Sequence, residues 1–298
     1  MRSADRFHIG SITKTFVATV VLQLVGEHRV ELDRPIPAYL HDLPAGYTWT
    51  RVTVRDLLQQ TSGLHDYLED PRFQTFEGLG AHWSPQQLVR IAVKIGPRQT
   101  GWHYANTNYV LLGELVHAVT GHPVAQQIEA RILRPLGLTA TSYPADSTVI
   151  PAPAARGYFT PYGDVTDAVN PTSAGAAGAM ISDVRDLATF YRALFGGRLL
   201  RRAQVRELTR AIPVNDDGSL YSEHYGMGVY RVRLPCGDAW GHDGGYPGGF
   251  KSFAYTSADG RRQAVLFYND FGISDGTDNP AFRAAVQHAT SVAFCGGR

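Results

Sequence analysis

The first clear pattern in the chain is a run of apolar residues that recur with the period of a helix. Five of them share one helix face: Phe16, Val20, Val21, Leu24 and Val25. Gly26 interrupts the run and is suited to ending a helix. The pattern therefore predicts a helix over residues 11–29, with Ser11 in its first turn.

From about residue 31 to residue 221 the chain alternates short helical patterns with loops rich in glycine and proline. Thr53 and Ser84 are placed to cap helices, the second with Pro85 at the first helical position. Gly121 stands where a helix C-cap belongs. Four helices are predicted in this stretch: 54–60, 84–94, 106–119 and 182–195, the last starting at Ser182.

After about residue 222 the pattern changes to alternating and β-rich segments, which predict strands over 225–234, 250–256 and 262–268. The second and third are joined through Ala258-Asp259-Gly260, which is typical of a hairpin turn. Asp278-Asn279-Pro280 then opens a final helix that ends near Cys295.

Together these elements predict an α/β protein, in which an antiparallel sheet is flanked by helices and an all-α domain is inserted. Residues 1–30 and 222–298 would form the sheet domain, and residues 31–221 the all-α domain. The length of 298 residues is sufficient for one large domain or two closely packed ones.

Composition excludes several classes of protein. The 28 basic and 27 acidic residues leave a net charge of +1, so we expect no nucleic acid partner. No apolar run approaches the roughly 18 residues of a membrane span. Aromatic residues are plentiful, and the 31 glycines and 17 prolines show no period, which excludes a disordered or collagen-like chain.

The two cysteines, Cys236 and Cys295, both lie near the end of the chain. A bridge between them would close a loop of about 60 residues and contribute up to ~4 kcal/mol in the chain-entropy model. Two buried free thiols are equally compatible with the residues themselves.

The first candidate for chemistry is Ser11-Ile12-Thr13-Lys14, because residues three apart on a helix share a face. A serine hydroxyl becomes a good nucleophile only when a neighbour takes its proton, and a buried lysine amine can do so. Only three lysines occur in the chain, which gives more weight to Lys14. Such a pair is also common on ordinary surface helices.

The second candidate is Tyr104-Ala105-Asn106, at the junction between a loop and a helix. A phenol can relay a proton between a nucleophile and a leaving group, and an adjacent amide can hold a substrate carbonyl. A packed tyrosine followed by an N-cap asparagine is the alternative interpretation.

The third candidate is the segment from Trp240 to Phe250, which carries His242 among five glycines. Glycines at this density beside a strand let a ligand lie along exposed backbone. Their density is more typical of a binding site than of a core strand.

In chain order, Ser-x-x-Lys, Tyr-x-Asn and His-x-Gly resemble the three-part signature of the penicillin-recognising serine hydrolases, with His-x-Gly in the place of Lys-Thr-Gly. Within that group the chain most resembles the secreted D-alanyl-D-alanine carboxypeptidase/transpeptidase branch. The segments that carry this likeness are Arg6-Phe7-x-Ile9-Gly10-Ser11, Tyr104-Ala105-Asn106-Thr107-Asn108 and Ala293-Phe294-Cys295. The resemblance runs from about Ser3 to Arg298 and implies a serine β-lactamase/DD-peptidase fold.

The resemblance implies a role for each motif residue. Ser11 would be the acylated nucleophile, Lys14 its base, and Tyr104 the relay that passes a proton to the departing amine. Asn106 would hold an acyl-side carbonyl. His242 would replace the lysine of the third motif and support the tyrosine electrostatically.

The resemblance also implies how the rest of the site works. The backbone N–H groups of Ser11 and Gly245 would form the oxyanion hole, and Asp243, Gly244 and Gly245 would bind substrate in the cleft between the two domains. The implied mechanism needs no metal and no cofactor. A Cys236–Cys295 bridge is implied as well, and with it an oxidising, extracytoplasmic compartment for the full-length gene product.

Departures from the family pattern bear on the substrate. Asp243 and Gly245 stand where the carboxypeptidase branch carries hydroxyl residues that bind the terminal carboxylate of the peptide. The arginine that helps to bind it corresponds to Tyr230, and Arg231 would point to the other face of the strand. Like charges at close range repel by about 1 to 4 kcal/mol, so we expect a shift toward esters, amides or D-amino-acid peptides without a free carboxylate there.

A further departure concerns the start of the chain. Family members usually carry a helix and two strands before the segment equivalent to 3–10, and neither these nor a signal peptide is predicted here. Strand 262–268 would lose a neighbour, and an exposed sheet edge invites aggregation. We therefore expect this chain to express poorly and an upstream extension to restore expression.

The sequence thus favours a serine hydrolase similar to D-alanyl-D-alanine carboxypeptidases, acting on small peptides, esters, β-lactams or cell-wall peptides. The alternatives are an esterase or D-aminopeptidase on the same scaffold, and a penicillin-binding sensor without turnover. His65-Asp66 is interpreted as loop chemistry without a metal site, and His103 as a lining residue without a catalytic role.

Overall fold

The computed structural model describes residues 1–96, 98–214, 222–271 and 280–296 of the chain. A 3₁₀ turn, Gly10–Ile12, precedes the first helix. The helices, in chain order, are α1 (Thr13–Gly26), α2 (Val54–Gln59), α3 (Phe76–Gly80), α4 (Pro85–Ile95), α5 (Asn106–Thr120), α6 (Val124–Ile128), α7 (Arg134–Leu136), α8 (Gly175–Gly178), α9 (Val184–Phe195), α10 (Arg202–Leu208) and α11 (Pro280–Cys295).

The strands are mostly short, and the main sheet comes from the second half of the chain. They are β1 (Phe7–His8), β2 (Tyr158–Phe159), β3 (Gly163–Asp164), β4 (Ile181–Ser182), β5 (Ile212–Pro213), β6 (Ser222–Tyr225), β7 (Tyr230–Leu234), β8 (Gly237–Tyr246), β9 (Phe250–Ser257) and β10 (Gln263–Tyr268). Six of them form an antiparallel sheet in the order β10-β9-β8-β7-β6-β5. Helices with an antiparallel sheet confirm the predicted fold class.

The first helix is buried on almost all sides, although its apolar pattern predicted a single buried face. Beside its apolar residues, the polar side chains of Thr13, Lys14, Thr15 and Thr19 are buried. The helix packs against α5, α8 and α10. A lysine in the first turn of such a helix is therefore forced out of water.

The predicted capping residues begin and end the helices of the middle segment. The Thr53 hydroxyl accepts a hydrogen bond from the backbone N–H of Asp56, whose carboxylate accepts from Thr53 N–H in return. Ser84 caps α4 in the same way through Gln87. Gly121 ends α5 with a φ of +76°, which glycine adopts without strain. These helices agree with the prediction to within one residue.

The start of the fourth predicted helix differs from the structure. Ser182 belongs to β4, which pairs with β1. Asp183 is the capping residue, because its carboxylate accepts from the backbone N–H groups of Arg185 and Asp186. The helix α9 therefore begins at Val184.

The sheet needs two corrections to the predicted strands. The predicted strand 225–234 is divided into β6 and β7 by a turn, in which Gly228 has a φ of +73°. The glycine-rich segment around His242 is itself the strand β8. Glycine there permits close packing, because a Cβ on Gly244 would lie 2.0 Å from the carbonyl oxygen of Ile9.

The strand β8 has one edge that is only partly paired. Its partner β9 pairs with residues 239–246, whereas β7 pairs with residues 237–241 only. Residues 242–246 of β8 therefore do not pair with β7 on their second edge. This edge faces the start of α1, because Gly10 lies directly against Gly245. This is the place where the candidate site lies.

The C-terminal helix is tied to the sheet by a disulfide. Cys236, in the turn between β7 and β8, is bonded to Cys295 at the end of α11, with a Cα–Cα distance of 5.7 Å. Of the predicted start of this helix, Asp278 and Asn279 lie outside the described residues. The division into two domains at residues 30 and 221 stays a prediction. None of the described helices combines the length and the apolar composition that crossing a membrane would need.

Candidate active site

Ser11 and Lys14 meet at the entrance to α1. Ser11 lies in the 3₁₀ turn before the helix and Lys14 in the first helical turn, so both side chains point to the same side. Lys14 Nζ lies 2.9 Å from Ser11 Oγ. This is the distance that a general base needs in order to take the proton of a serine hydroxyl.

The Lys14 amine is held by further acceptors inside the protein. It donates to Oδ1 of Asn106 at 2.7 Å and to the carbonyl oxygen of Ala177 at 2.8 Å. The residue is 0% exposed, and this burial lowers the pKa of Lys14 to about 7, against the opposing charges of Asp66 and Asp243. Near neutral pH a substantial fraction of the amine is uncharged and able to accept a proton.

Tyr104 lies against both of these groups. Lys14 Nζ is 4.8 Å from the centroid of the Tyr104 ring. Burial raises the pKa of Tyr104 well above its usual value, and the hydrogen bond with Ser11 opposes that shift. The phenol is therefore protonated and in contact with the serine, from where it can pass a proton to a leaving group. The four candidate residues of the first two motifs, Ser11, Lys14, Tyr104 and Asn106, are thus neighbours in the structure.

Asp66 belongs to this network, although the sequence analysis interpreted it as a loop residue. Asn106 Nδ2 donates to Asp66 Oδ2 at 2.7 Å, while Asn106 Oδ1 accepts from Lys14. Asp66 thus fixes which end of the Asn106 amide faces the lysine. Its own pKa is raised by burial, and hydrogen bonds from Leu68 and Asn106 oppose that shift. No spacing rule in the sequence links Asp66 to a helix 40 residues later.

His242 is buried in a group of aromatic rings beside the site. Its Nδ1–H donates to the carbonyl oxygen of Asp243 at 2.5 Å, so that Nε2, 3.3 Å from the Tyr225 hydroxyl, is placed to accept. The ring centroids of His242 and Tyr104 are 6.2 Å apart. His242 therefore lies next to the tyrosine, and Tyr225, which the sequence analysis did not single out, contacts both rings.

The backbone of β8 passes directly beside the serine. Gly10 has a φ of +51°, and a Cβ there would lie 2.4 Å from the carbonyl oxygen of Gly245. The peptides of Ser11 and Gly245 are thus neighbours, which suits the expected pair of oxyanion donors. Gly244 has no room for a side chain, so any contact it makes with a substrate comes from its backbone.

Asp243 brings a carboxylate to the site, with 24% of its side chain exposed. Burial raises the pKa of Asp243, and the positive charges of Lys251 and Lys14 oppose that shift. Lys251 is the residue of β9 that pairs with Gly245 of β8. Its Nζ lies 3.3 Å from the position that a Cβ on Gly245 would occupy. The sequence analysis did not identify this second cation.

The resemblance places Tyr230, on β7, at the position of the family's arginine. Tyr230 is buried, with its ring centroid 4.9 Å from that of His242. Arg231 instead reaches His224, at 3.0 Å between Nη2 and Nδ1. The face of the sheet that borders the site therefore carries no guanidinium from this strand.

The assembled side chains can perform acyl transfer. A hydroxyl in contact with an amine of lowered pKa, a protonated phenol beside it and backbone N–H groups at a helix entrance are the groups that this reaction uses. They come from the 3₁₀ turn and first turn of α1, from the loop that precedes α5 and from β8, which are distant in sequence.

Comparisons with known proteins agree with this geometry. The family named Beta-lactamase matches residues 1–288. The D-stereospecific amidohydrolase from Streptomyces sp. is 38% identical, with a TM-score of 0.87 over 98% of this chain and 87% of that one. The D-amino acid amidase from Ochrobactrum anthropi SV3, solved with D-phenylalanine, is 30% identical, with a TM-score of 0.82 over 98% and 93%.

Among curated proteins, the penicillin-binding protein homologue PbpX of Bacillus subtilis (strain 168) is 29% identical over 272 residues. That alignment covers 88% of this chain and 62% of PbpX. The chain thus spans less than two thirds of the length of this relative.

Proposed function

Because the chain belongs to the Beta-lactamase family, whose match covers residues 1–288, we propose that it is a serine hydrolase acylated on Ser11. The observation that carries this proposal is the contact of Ser11 Oγ with a buried lysine amine whose pKa is about 7. In an exposed lysine the amine would be charged at neutral pH and unable to act as a base.

In the proposed reaction Ser11 Oγ attacks the substrate carbonyl, and its proton passes to Lys14 Nζ. The N–H groups of Ser11 and Gly245 hold the developing oxyanion. Tyr104 gives its proton to the departing amine and is reprotonated through Lys14. Water then attacks the acyl-enzyme and gives one proton to Lys14 Nζ. That proton passes to Ser11 Oγ as the ester bond to the serine breaks, which leaves Ser11 protonated and Lys14 neutral again.

For the substrate we propose amides or esters of D-amino acids whose leaving group carries no carboxylate. Asp243 supplies a negative charge, and Tyr230 lies where the resemblance implies a carboxylate-binding arginine. Repulsion of about 1 to 4 kcal/mol would weaken binding of a terminal carboxylate. Two of the similar structures are named as a D-stereospecific amidohydrolase and a D-amino acid amidase, which supports this choice.

A D-alanyl-D-alanine carboxypeptidase is the second candidate, and Lys251 favours it. Its amine stands beside Gly245 and offsets the charge of Asp243, so a terminal carboxylate could dock there. The similarity to PbpX points in the same direction.

A matched pair of substrates distinguishes the two candidates. Acetyl-D-Ala-D-Ala and its C-terminal amide differ only in the terminal charge. We expect the amide to have a kcat/KM at least tenfold higher, equivalent to about 1.4 kcal/mol, and D-phenylalanine amide to be cleaved while its L enantiomer is not. A preference for the free acid that is lost in Lys251→Met would establish the carboxypeptidase instead.

Ser11→Ala is the control for all of these substrates, and labelling by fluorescent penicillin tests the remaining alternative. We expect hydrolysis to be absent in Ser11→Ala. A label that persists on the wild-type chain without turnover of any substrate would indicate a penicillin-binding sensor.

We further propose an extracytoplasmic location, because the disulfide between Cys236 and Cys295 needs an oxidising compartment. The proposed domain division would place the site between its two parts. Ser11, Lys14 and His242 come from the predicted sheet domain, and Tyr104 and Asn106 from the predicted all-α domain.

A further inference from the structure

A second group of chemically active side chains lies beside the residues described above. His65 Nδ1 is 2.9 Å from Glu69 Oε2, and His103 Nε2 is 3.3 Å from Glu69 Oε1. One ligand atom from each of the three residues lies within 4.8 Å of the other two. Neither the proposed reaction nor the family resemblance uses this group.

Two segments that are far apart in sequence bring these residues together. His65 and Glu69 belong to the loop after α2, where Glu69 also accepts from the backbone N–H of Asp66 and so holds the loop in place. His103 belongs to the loop before α5. His65 is buried at 8% exposure, whereas the side chain of His103 is 33% exposed, which leaves one side of the group open to solvent.

We propose that His65, Glu69 and His103 form a binding site for a divalent transition metal ion, with Zn²⁺ as the occupant that the donors suit best. Two imidazoles and one carboxylate are an established ligand set for zinc, with a fourth position left for water. Bonds of about 2.0–2.2 Å place tetrahedral ligand atoms roughly 3.5 Å apart. The distances of 2.9 and 3.3 Å run from the two histidines to the two oxygens of Glu69, so small side-chain shifts would bring one donor atom of each residue to this spacing.

The Gln99 side chain lies against the imidazole of His65. When Nδ1 of His65 binds the metal, Nε2 carries the proton and requires an acceptor. The Gln99 amide nitrogen lies 3.2 Å from that Nε2. The same amide nitrogen lies 3.4 Å from Nδ1, so Gln99 contacts the imidazole and restrains its position.

The site would act on the neighbouring reaction through the backbone. His65 precedes Asp66, which orients Asn106, and His103 precedes Tyr104. A bound ion would clamp these two loops together and hold Asp66 and Tyr104 in place without taking part in the chemistry. The proposal therefore concerns regulation and stability, and it does not rest on the identity of the substrate.

Cobalt and zinc titrations of the full chain test this proposal. Co²⁺ in a site of low coordination number gives visible absorption bands, which report the ligand set directly. We expect saturable binding of one Co²⁺ per chain, displacement by Zn²⁺, and a higher melting temperature with Zn²⁺. Glu69→Gln and His103→Ala should each weaken binding at least tenfold.

His82→Ala is the matched control, because His82 is an exposed histidine that pairs with Asp146 elsewhere. It should bind Co²⁺ as the wild type does. Metal-free melting curves check that each variant folds, and His103→Gln replaces His103→Ala if the latter does not. Absence of saturable binding, or equal affinity in the wild type and the Glu69 and His103 variants, would overturn the proposal.

Repeating the titration in Ser11→Ala separates this proposal from the proposed function. We expect binding to be unchanged there, because Ser11 contacts none of the three ligands in the contacts described. If the wild type binds Co²⁺ but hydrolyses nothing, the hydrolase fails while the metal site stands.

Discussion

At the scale of single residues, burial decides the chemistry of Lys14. The same side chain on a surface helix would carry a positive charge up to about pH 10. Here the packing of α1 removes water from the amine, and three hydrogen-bond partners hold it in one position. The function of this residue is thus a property of its surroundings as much as of its type.

The pH dependence of hydrolysis should report the ionisation of Lys14. The base is active when it is neutral, so activity should be complete above its pKa and fall as the pH drops through about 7. We expect kcat/KM on p-nitrophenyl acetate, which does not titrate in this range, to fall roughly tenfold per pH unit at lower pH. A profile that is flat from pH 5 to 8 would contradict this assignment.

Two lysine variants test whether Lys14 is the base, one at Lys14 itself and one at an exposed lysine as the control. Lys14→Met should reduce kcat by a factor of about 10³ or more, since the serine loses its base. Lys94→Met removes an exposed lysine at the end of α4, and it should leave both kcat and KM unchanged.

Asp66 should act on the rate through Lys14 and Asn106. Its negative charge raises the pKa of Lys14, so Asp66→Asn should lower that pKa and move the acid limb of the profile to lower pH. The shift should be on the order of one pH unit, with a smaller kcat because the Asn106 amide is held less firmly. Asp70→Asn is the control, because Asp70 lies in the next turn and pairs with Arg72. It should leave the pH profile of hydrolysis unchanged.

At the scale of elements, the site depends on how closely β8 approaches the start of α1. The backbones are near enough that Gly10 and Gly244 have no room for a Cβ. This contact places the Gly245 peptide beside Ser11. The two expected oxyanion donors are therefore close to each other. The approach is possible because β7 leaves the edge of β8 after Gly241.

Gly10→Ala should therefore lower kcat/KM by more than the loss of folded protein would account for. The new Cβ would lie 2.4 Å from the carbonyl oxygen of Gly245, and both backbones must shift. A displacement of about 1 Å at a catalytic centre costs roughly 10²-fold in rate, so we expect at least that loss of kcat/KM.

Gly137→Ala is the control for backbone strain. Gly137 has a similar φ of +66°, but nothing lies within 4 Å of its added Cβ. Its melting temperature should fall by an amount equivalent to about 1 kcal/mol, with activity unchanged. Equal activity in the two variants would show that the contact between Gly10 and Gly245 is not needed.

At the scale of the whole molecule, the disulfide connects the turn before β8 to the last helix. Cys236 and Cys295 are 59 residues apart, and the loop that they close contains β8, β9 and β10. The bridge therefore stabilises the part of the sheet that carries His242 and Asp243.

Removing the bridge should lower stability without changing the chemistry. For a loop of this length the chain-entropy model predicts a loss of up to ~4 kcal/mol in the free energy of unfolding. We expect the double variant Cys236→Ser and Cys295→Ser to unfold at lower denaturant concentration and to keep its kcat/KM at 20 °C. An unchanged unfolding midpoint would show that the bridge contributes nothing.

The sequence alone was sufficient for the features that depend on neighbours along the chain. The caps of α2, α4 and α5, the hairpin between β9 and β10 and the pairing of Ser11 with Lys14 follow from interactions over three to five residues. Only the tertiary structure decided the rest: that β8 is a strand, that Asp66 orients Asn106, that Lys251 stands beside Gly245 and that Lys14 is kept out of water. These features arise from burial and from strand pairing and contacts that mostly join distant segments of the chain, and no local pattern in the sequence specifies which groups will share a pocket without water.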